Sequence, residues 1–138
     1  YGLERIAMFL QGVRSVFDIE WAPGVKYGDI HTMTEREFSV FNFEEAPVDV
    51  LFEQFEQWER VSRGLIERMR GEEPAPLIRP AYDALLKCSH LFNLLDARGA
   101  ISPQQRAKYI LRIRRLAGAC ARAWVAAHRT PTSASLSR

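Results

Sequence analysis

The chain has 138 residues, 47% hydrophobic and 26% charged, which is enough for one modest domain with a core and is ordinary for a soluble globular protein. A net charge of +2 is too small to argue nucleic-acid binding by itself. No apolar run approaches the roughly 20 residues that a membrane helix needs, and nothing resembles a signal peptide. The charges are unevenly placed. Residues 35–73 hold eleven acids and five bases, whereas residues 102–129 hold seven bases and no acid. Such segments either face each other or present two surfaces to partners. Cys88 and Cys120 each lie inside a helical pattern and read as reduced, buried thiols of a cytoplasmic protein.

Taken in order, Gly2-Leu3-Glu4-Arg5 opens onto an apolar run. Ile6, Leu10, Val13 and Phe17 recur at three- and four-residue steps, predicting a helix over residues 3–13 that Gly12 weakens or ends. The run Val16-Phe17-Asp18-Ile19-Glu20-Trp21 alternates apolar and polar residues, as a short strand does, with a helical turn as the alternative. Pro23-Gly24 marks a turn. Residues 25–34, with Tyr27-Gly28-Asp29, read as a loop. Residues 35–43 read as a short helix or irregular segment whose Phe38, Phe41 and Phe43 plug onto the domain.

Three long helices follow. Pro47 at the first helical position opens one whose stripe is Leu51, Phe55, Trp58, Leu65 and Met69, with Ser62 as a polar gap and Gly71 as the stop. Asp49 lies in its first turn, where the helix dipole favours a negative charge. Glu72-Glu73-Pro74-Ala75-Pro76 is a polar connector. The second helix begins near Pro80, buries Ala81, Leu85, Cys88, Phe92 and Leu95, and ends at Gly99. The third starts at a capping box, with Ser102 as cap, Pro103 in the first position and Gln105 in the third. Its apolar stripe is Ile110, Ile113, Ala117, Cys120 and Trp124. Lys108, Arg112, Arg115 and Arg122 fall within about 80° of one another on the opposite face, by the 100° step per residue. That face is either solvated, paired with the acidic first long helix, or turned to RNA phosphates. It carries no interleaved aromatic to stack bases. The expected organisation is residues 1–45, then a helical domain over residues 46–129, then a flexible Thr/Ser-rich tail over residues 130–138. Short connectors predict an antiparallel, up-down-up bundle.

Candidate chemistry is sparse. Glycine lets a backbone come close to a ligand, and an arginine fixed at a helix N-terminus faces an anion that the helix dipole also favours. Gly2, Glu4 and Arg5 are therefore the candidate site, with the apolar residues after Arg5 expected to bury the helix and hold the arginine still. Cys88, His90 and His128 lack zinc-site spacing, and no metal ligand is assigned. Asp18, Asp29 and Asp96 are scattered and do not pair for acid–base work.

Three stretches together resemble a known family. Tyr1-Gly2-Leu3-Glu4-Arg5-Ile6-Ala7-Met8-Phe9-Leu10-Gln11-Gly12-Val13 resembles motif 3 of class II aminoacyl-tRNA synthetases, in the form carried by the alpha subunit of the bacterial two-subunit glycyl-tRNA synthetase. Tyr27-Gly28-Asp29 with Phe41-Asn42-Phe43-Glu44 also resembles that subunit. So does His90-Leu91-Phe92-Asn93-Leu94-Leu95-Asp96-Ala97-Arg98-Gly99-Ala100-Ile101-Ser102, continuing to Tyr109-Ile110-Leu111-Arg112-Ile113-Arg114. The resemblance implies a mainly α fold, in which an antiparallel bundle of three long helices follows the motif 3 helix and a remnant of the class II antiparallel sheet. It implies glycine activation with ATP to glycyl-adenylate and transfer to tRNA(Gly), in an assembly of two alpha and two beta subunits. Arg5, as the motif 3 arginine, would stack on the adenine and reach the terminal phosphate. Gly2 would keep the strand end slim beside the nucleotide, and Glu4 would orient neighbouring groups. Mg²⁺ is implied for the whole enzyme, without a ligand assignable here. Motifs 1 and 2, and most of the glycine pocket, are expected upstream of Tyr1, so that these residues form the latter half of a longer subunit that is inactive by themselves. The alternative function is a non-catalytic helical module that docks the beta subunit or tRNA.

Overall fold

The computed structural model of the chain describes residues 2–128, apart from the side chain of Arg70. The expected tail, residues 130–138, lies outside the described residues. The fold is mainly helical, and the chain divides into two compact units, Tyr1–Glu45 and Ala46–Arg138.

In the first unit, helix α1 (Leu3–Gln11) stops at Gly12, as the sequence predicts. The alternating run then splits. Val16–Asp18 is a 3₁₀ turn capped by the Ser15 hydroxyl, and only Glu20–Ala22 forms a strand, β1. It pairs antiparallel with β2 (Val25–Lys26) across the Pro23-Gly24 turn, with Glu20 opposite Lys26. The expected loop over residues 25–34 is instead β2 and the start of helix α2 (Tyr27–Val40), which continues into a π-type turn, Phe41–Glu45. Gly28 and Asp29 look like loop punctuation, yet Asp29 caps α2 by accepting the Lys26 N–H at 2.8 Å. Gly28 lets the new helix lie on the preceding turn: a Cβ there would stand 3.0 Å from the Phe17 carbonyl oxygen and 3.1 Å from its Cβ. We therefore expect Gly28→Ala to destabilise this unit by about 1–3 kcal/mol, the usual cost of overpacking. Gly64→Ala, with nothing within 4 Å of the added carbon in an exposed helix interior, should gain about 0.5–1 kcal/mol. Faster amide exchange over residues 27–40 for the first variant, and a raised melting temperature for the second, are the expected readouts.

The second unit is the three-helix bundle. Helix α3 (Val48–Ile66), helix α4 (Ile78–Ala97) and helix α5 (Pro103–His128) run up, down and up. Near the end of α3, Ser62 meets Ala81 at the start of α4, whereas at the other end Arg98 Nε donates to the Ala46 carbonyl at 3.0 Å. Helix α4 returns to α5 through Asp96–Arg106 at 3.2 Å and Arg79 over Trp124. The core is Leu51, Phe55, Leu85, Cys88, Phe92, Leu95 and Leu116, with Tyr109 set edge-on against Phe55. Burying side chains of this kind stabilises by roughly 1.5–3 kcal/mol each. Ser62, the polar gap of the α3 stripe, is fully buried and satisfied, its hydroxyl donating to the Ala81 carbonyl at 2.9 Å.

Helix ends follow local chemistry with some shifts. Pro47 is the cap of α3 rather than its first residue. Helix α3 stops at Ile66, so Met69 leaves the stripe and enters a second hairpin, β3 (Met69–Arg70) with β4 (Glu73–Pro74). Gly71, at φ 66°, turns that hairpin instead of stopping the helix. Gly99, at φ 64°, does stop α4: its N–H donates to Asp96 O and that of Ala100 to Leu95 O, the paired bonds of a Schellman motif. The Ser102 capping box forms in both directions, at 3.2 and 2.8 Å.

Candidate active site

The three predicted residues come together at the start of α1. Gly2 is the N-cap in extended backbone, φ −89° and ψ 151°, and contributes no side-chain cap. The helix N-terminus therefore presents peptide N–H groups with positive partial charge. Glu4 lies in the first turn and folds back, its Oε2 only 3.0 Å from where a Cβ on Gly2 would stand. A side chain at position 2 would therefore shift the flexible Glu4 carboxylate by a few tenths of an ångström. Arg5 follows on the exposed surface and makes no ion pair among the described residues.

One expectation about this site does not hold. The apolar residues after Arg5 do not bury α1 within this unit: Ile6 is 49%, Phe9 86% and Leu10 76% exposed. The physical reason is geometric. The 3₁₀ turn and the hairpin meet α1, the hairpin at its C-terminal end, and no described element of this unit covers its outer apolar row. What holds α1 is Gln11, whose side-chain amide donates to the Glu20 carbonyl at 3.0 Å and accepts the Glu20 N–H at 2.7 Å. Sequence reasoning passed over Gln11, since a glutamine at a helix end carries no signal of its partner. A groove of about 730 Å³ in this unit is lined by residues that include Gln11, Asp18, Glu20, Trp21 and Lys26, and none of Gly2, Glu4 or Arg5 borders it. Beside it Trp21, Tyr27 and His31 form an aromatic cluster, Tyr27 and His31 with ring centroids 4.2 Å apart.

The second unit holds an ionic cluster that the charge pattern only half disclosed. Arg112 is not on the solvated face of α5. Its guanidinium turns inward, donates to both carboxylate oxygens of buried Glu59 and reaches Glu56 at 2.7 Å. The Phe55 and Tyr109 rings lie 4.7 and 5.0 Å from its carbon. Pairing with the acidic first long helix is therefore what this residue does, and Lys108, Arg115 and Arg122 are left outside. The Arg112 hydrogen bonds hold the Glu59 carboxyl below its ordinary pKa despite burial. Burial also pushes the Cys88 thiol up to about 11, so it is an inert core group. His90 is exposed, and His128 stacks on Trp124 with centroids 3.8 Å apart. Among the described residues no three His, Cys, Asp or Glu side chains gather as a metal site, and no helix is long and apolar enough to cross a membrane.

A comparison with known families defines the class of protein: the aminoacyl-tRNA synthetases, which are ligases. The family model described as glycyl-tRNA synthetase alpha subunit matches residues 1–129, and the chain belongs to that family. Its role accordingly lies in glycine–tRNA ligation.

Proposed function

We propose that Gly2, Glu4 and Arg5 form one wall of a class II ATP site in the complete subunit. The observation that carries this reading is an exposed arginine, free of acidic partners among the described residues, in the first turn of a helix whose N-terminus has no side-chain cap. A guanidinium is planar enough to lie on an adenine ring and cationic enough to meet a phosphate. The slim Gly2 admits the nucleotide beside the strand end, and Glu4 orients its neighbours. ATP is the substrate, and Mg²⁺ accompanies it in the whole enzyme on residues outside these. The outer apolar row of α1 then packs against the antiparallel sheet that class II catalytic domains carry. The product glycyl-adenylate passes glycine to tRNA(Gly), in the cytoplasm, within an assembly that pairs alpha subunits and adds beta subunits.

One wall does not make a site. On this reading motifs 1 and 2, with the arginine that grips the alpha-phosphate, are supplied by residues other than these 138. We expect a polypeptide of residues 1–138 to show no glycine-dependent ATP–pyrophosphate exchange above background, and the complete subunit with its partner to show it. Exchange by residues 1–138 alone would refute the reading. The second reading, a docking module for the beta subunit or tRNA, is favoured by the separate core of the bundle. Its tRNA form is weakened because Arg112 and Arg106 already hold acids.

A further inference from the structure

We propose that the C-terminal half of α5, with the first turns of α4, docks an amphipathic helix whose apolar row is flanked by carboxylates, supplied by another polypeptide. The inference rests on the docking reading and gives it a surface, and it is independent of the ATP reading, because it uses the other unit and different residues.

The surface is built from two apolar grooves on either side of Ala121. One, of about 360 Å³, runs between α4 and α5 along Ile78, Tyr82 and Trp124. The other, of about 380 Å³, lies on α5 alone, with Val125 and Arg122 on its wall. Large apolar groups are left open there: Tyr82 is 50%, Trp124 40% and Val125 56% exposed. Trp124 belongs to the predicted buried stripe of α5, so its exposure is a departure from the pattern and not a feature of it. Between the grooves the helix surface is low, since residues 117–121 are Ala-Gly-Ala-Cys-Ala. Small residues allow a second helix to approach closely, and large side chains of that helix would drop into the grooves on each side.

The charge around the surface chooses the occupant. Helix α5 contains no acid. The two acids of α4 are both engaged, Asp83 with Lys87 at 3.2 Å and Asp96 with Arg106 at 3.2 Å. On opposite rims stand Arg79, whose guanidinium lies 5.3 Å from the Trp124 ring centroid, and Arg122, which reaches back over Gly118 to within 3.2 Å of where a Cβ would be. Neither makes an ion pair among the described residues. Two rim guanidiniums held over an apolar floor match carboxylates flanking an apolar helix stripe, with contacts of the desolvated arginine–carboxylate kind. A nucleic acid would meet the same charges, but of the two exposed rings on this floor Trp124 is already stacked by His128 at 3.8 Å and faced by Arg79, which leaves Tyr82 to stack a base.

The test uses the full chain and two 21-residue helical peptides with the same leucine row, one flanked by Glu and one by Lys, each carrying a fluorophore for anisotropy. The expected result is at least tenfold tighter binding of the Glu-flanked peptide at low salt. Ala121→Glu sits on the exposed side of α5, so its far-UV circular dichroism and melting temperature should match the parent while binding falls at least tenfold. The double variant Arg79→Glu/Arg122→Glu should prefer the Lys-flanked peptide. Equal binding of both peptides, or no binding of either, overturns the proposal. So does a single-stranded 20-nucleotide RNA that displaces the peptide with higher affinity. A parent dimer that Ala121→Glu dissolves would also overturn it, since the face would then belong to a second copy.

Discussion

Replacing Arg112 with Met lowers the unfolding free energy of the helical unit by about 3–5 kcal/mol, the loss seen when one partner of a buried pair is removed. In a domain of this size that is a melting-temperature drop of roughly 12 °C or more. The cause is less the lost attraction than what is left behind. Glu59 is 8% exposed and takes its hydrogen bonds from Arg112 and, at 3.5 Å, from Arg63. Without Arg112 its carboxylate stays in the core beside Phe55 with one weak partner. The double variant Glu59→Leu/Arg112→Met should recover most of the loss, because an apolar pair of similar volume needs no partner. The pH dependence has a definite sign. The folded pKa of Glu59 is depressed, so its contribution is complete at neutral pH and is lost as pH falls below the ordinary carboxylate range and through the lowered value. In Arg112→Met the main lowering influence is gone and burial acts to raise the carboxyl, so the gap between variant and parent should narrow as pH falls from the variant's higher pKa towards the parent's lowered one. Urea unfolding at several pH values reads both effects, and a pH-independent gap would remove Glu59 from the explanation.

Arg5→Ala in the complete subunit is expected to lower glycine-dependent ATP–pyrophosphate exchange by about 10²–10³-fold, the scale for removing one preorganised electrostatic contact to a reacting group. Its melting temperature should be nearly unchanged, because Arg5 is exposed and supports nothing in its own unit. Arg5→Lys keeps the charge but not the plane, so it should restore phosphate attraction without ring stacking and recover only part of the rate. Unchanged exchange kinetics in Arg5→Ala would dismiss the arginine from the nucleotide site. A large fall in stability with a proportional fall in activity would make its role structural.

How far each feature was legible depended on how local its cause was. The three bundle helices could be read because their stripes recur every three or four residues and their ends carry local signals, such as the Ser102 box and Gly99. The first unit was harder, because its signals are ambiguous at short range. Gly28 and Asp29 break most patterns, but here one relieves a close approach and the other caps a helix. Arg112 was grouped with the outer basic residues because helical angle is all that a sequence offers; its acid lies 53 residues earlier. The candidate site was readable as a helix start bearing glycine and arginine. The surroundings of α1 were not, since burial of Ile6 and Leu10 depends on what faces them and not on their own spacing.

The Gln11 clamp has a consequence for the edge of the small sheet. The backbone N–H and carbonyl of Glu20 point away from β2 and are both taken by one primary amide, so the side chain of Gln11 serves as a strand one residue long. An incoming strand would have to displace that amide before it could pair at Glu20. The hairpin is thereby closed to extension by a foreign chain on that side, a safeguard that exposed edges otherwise obtain from lysine, proline or a bulge.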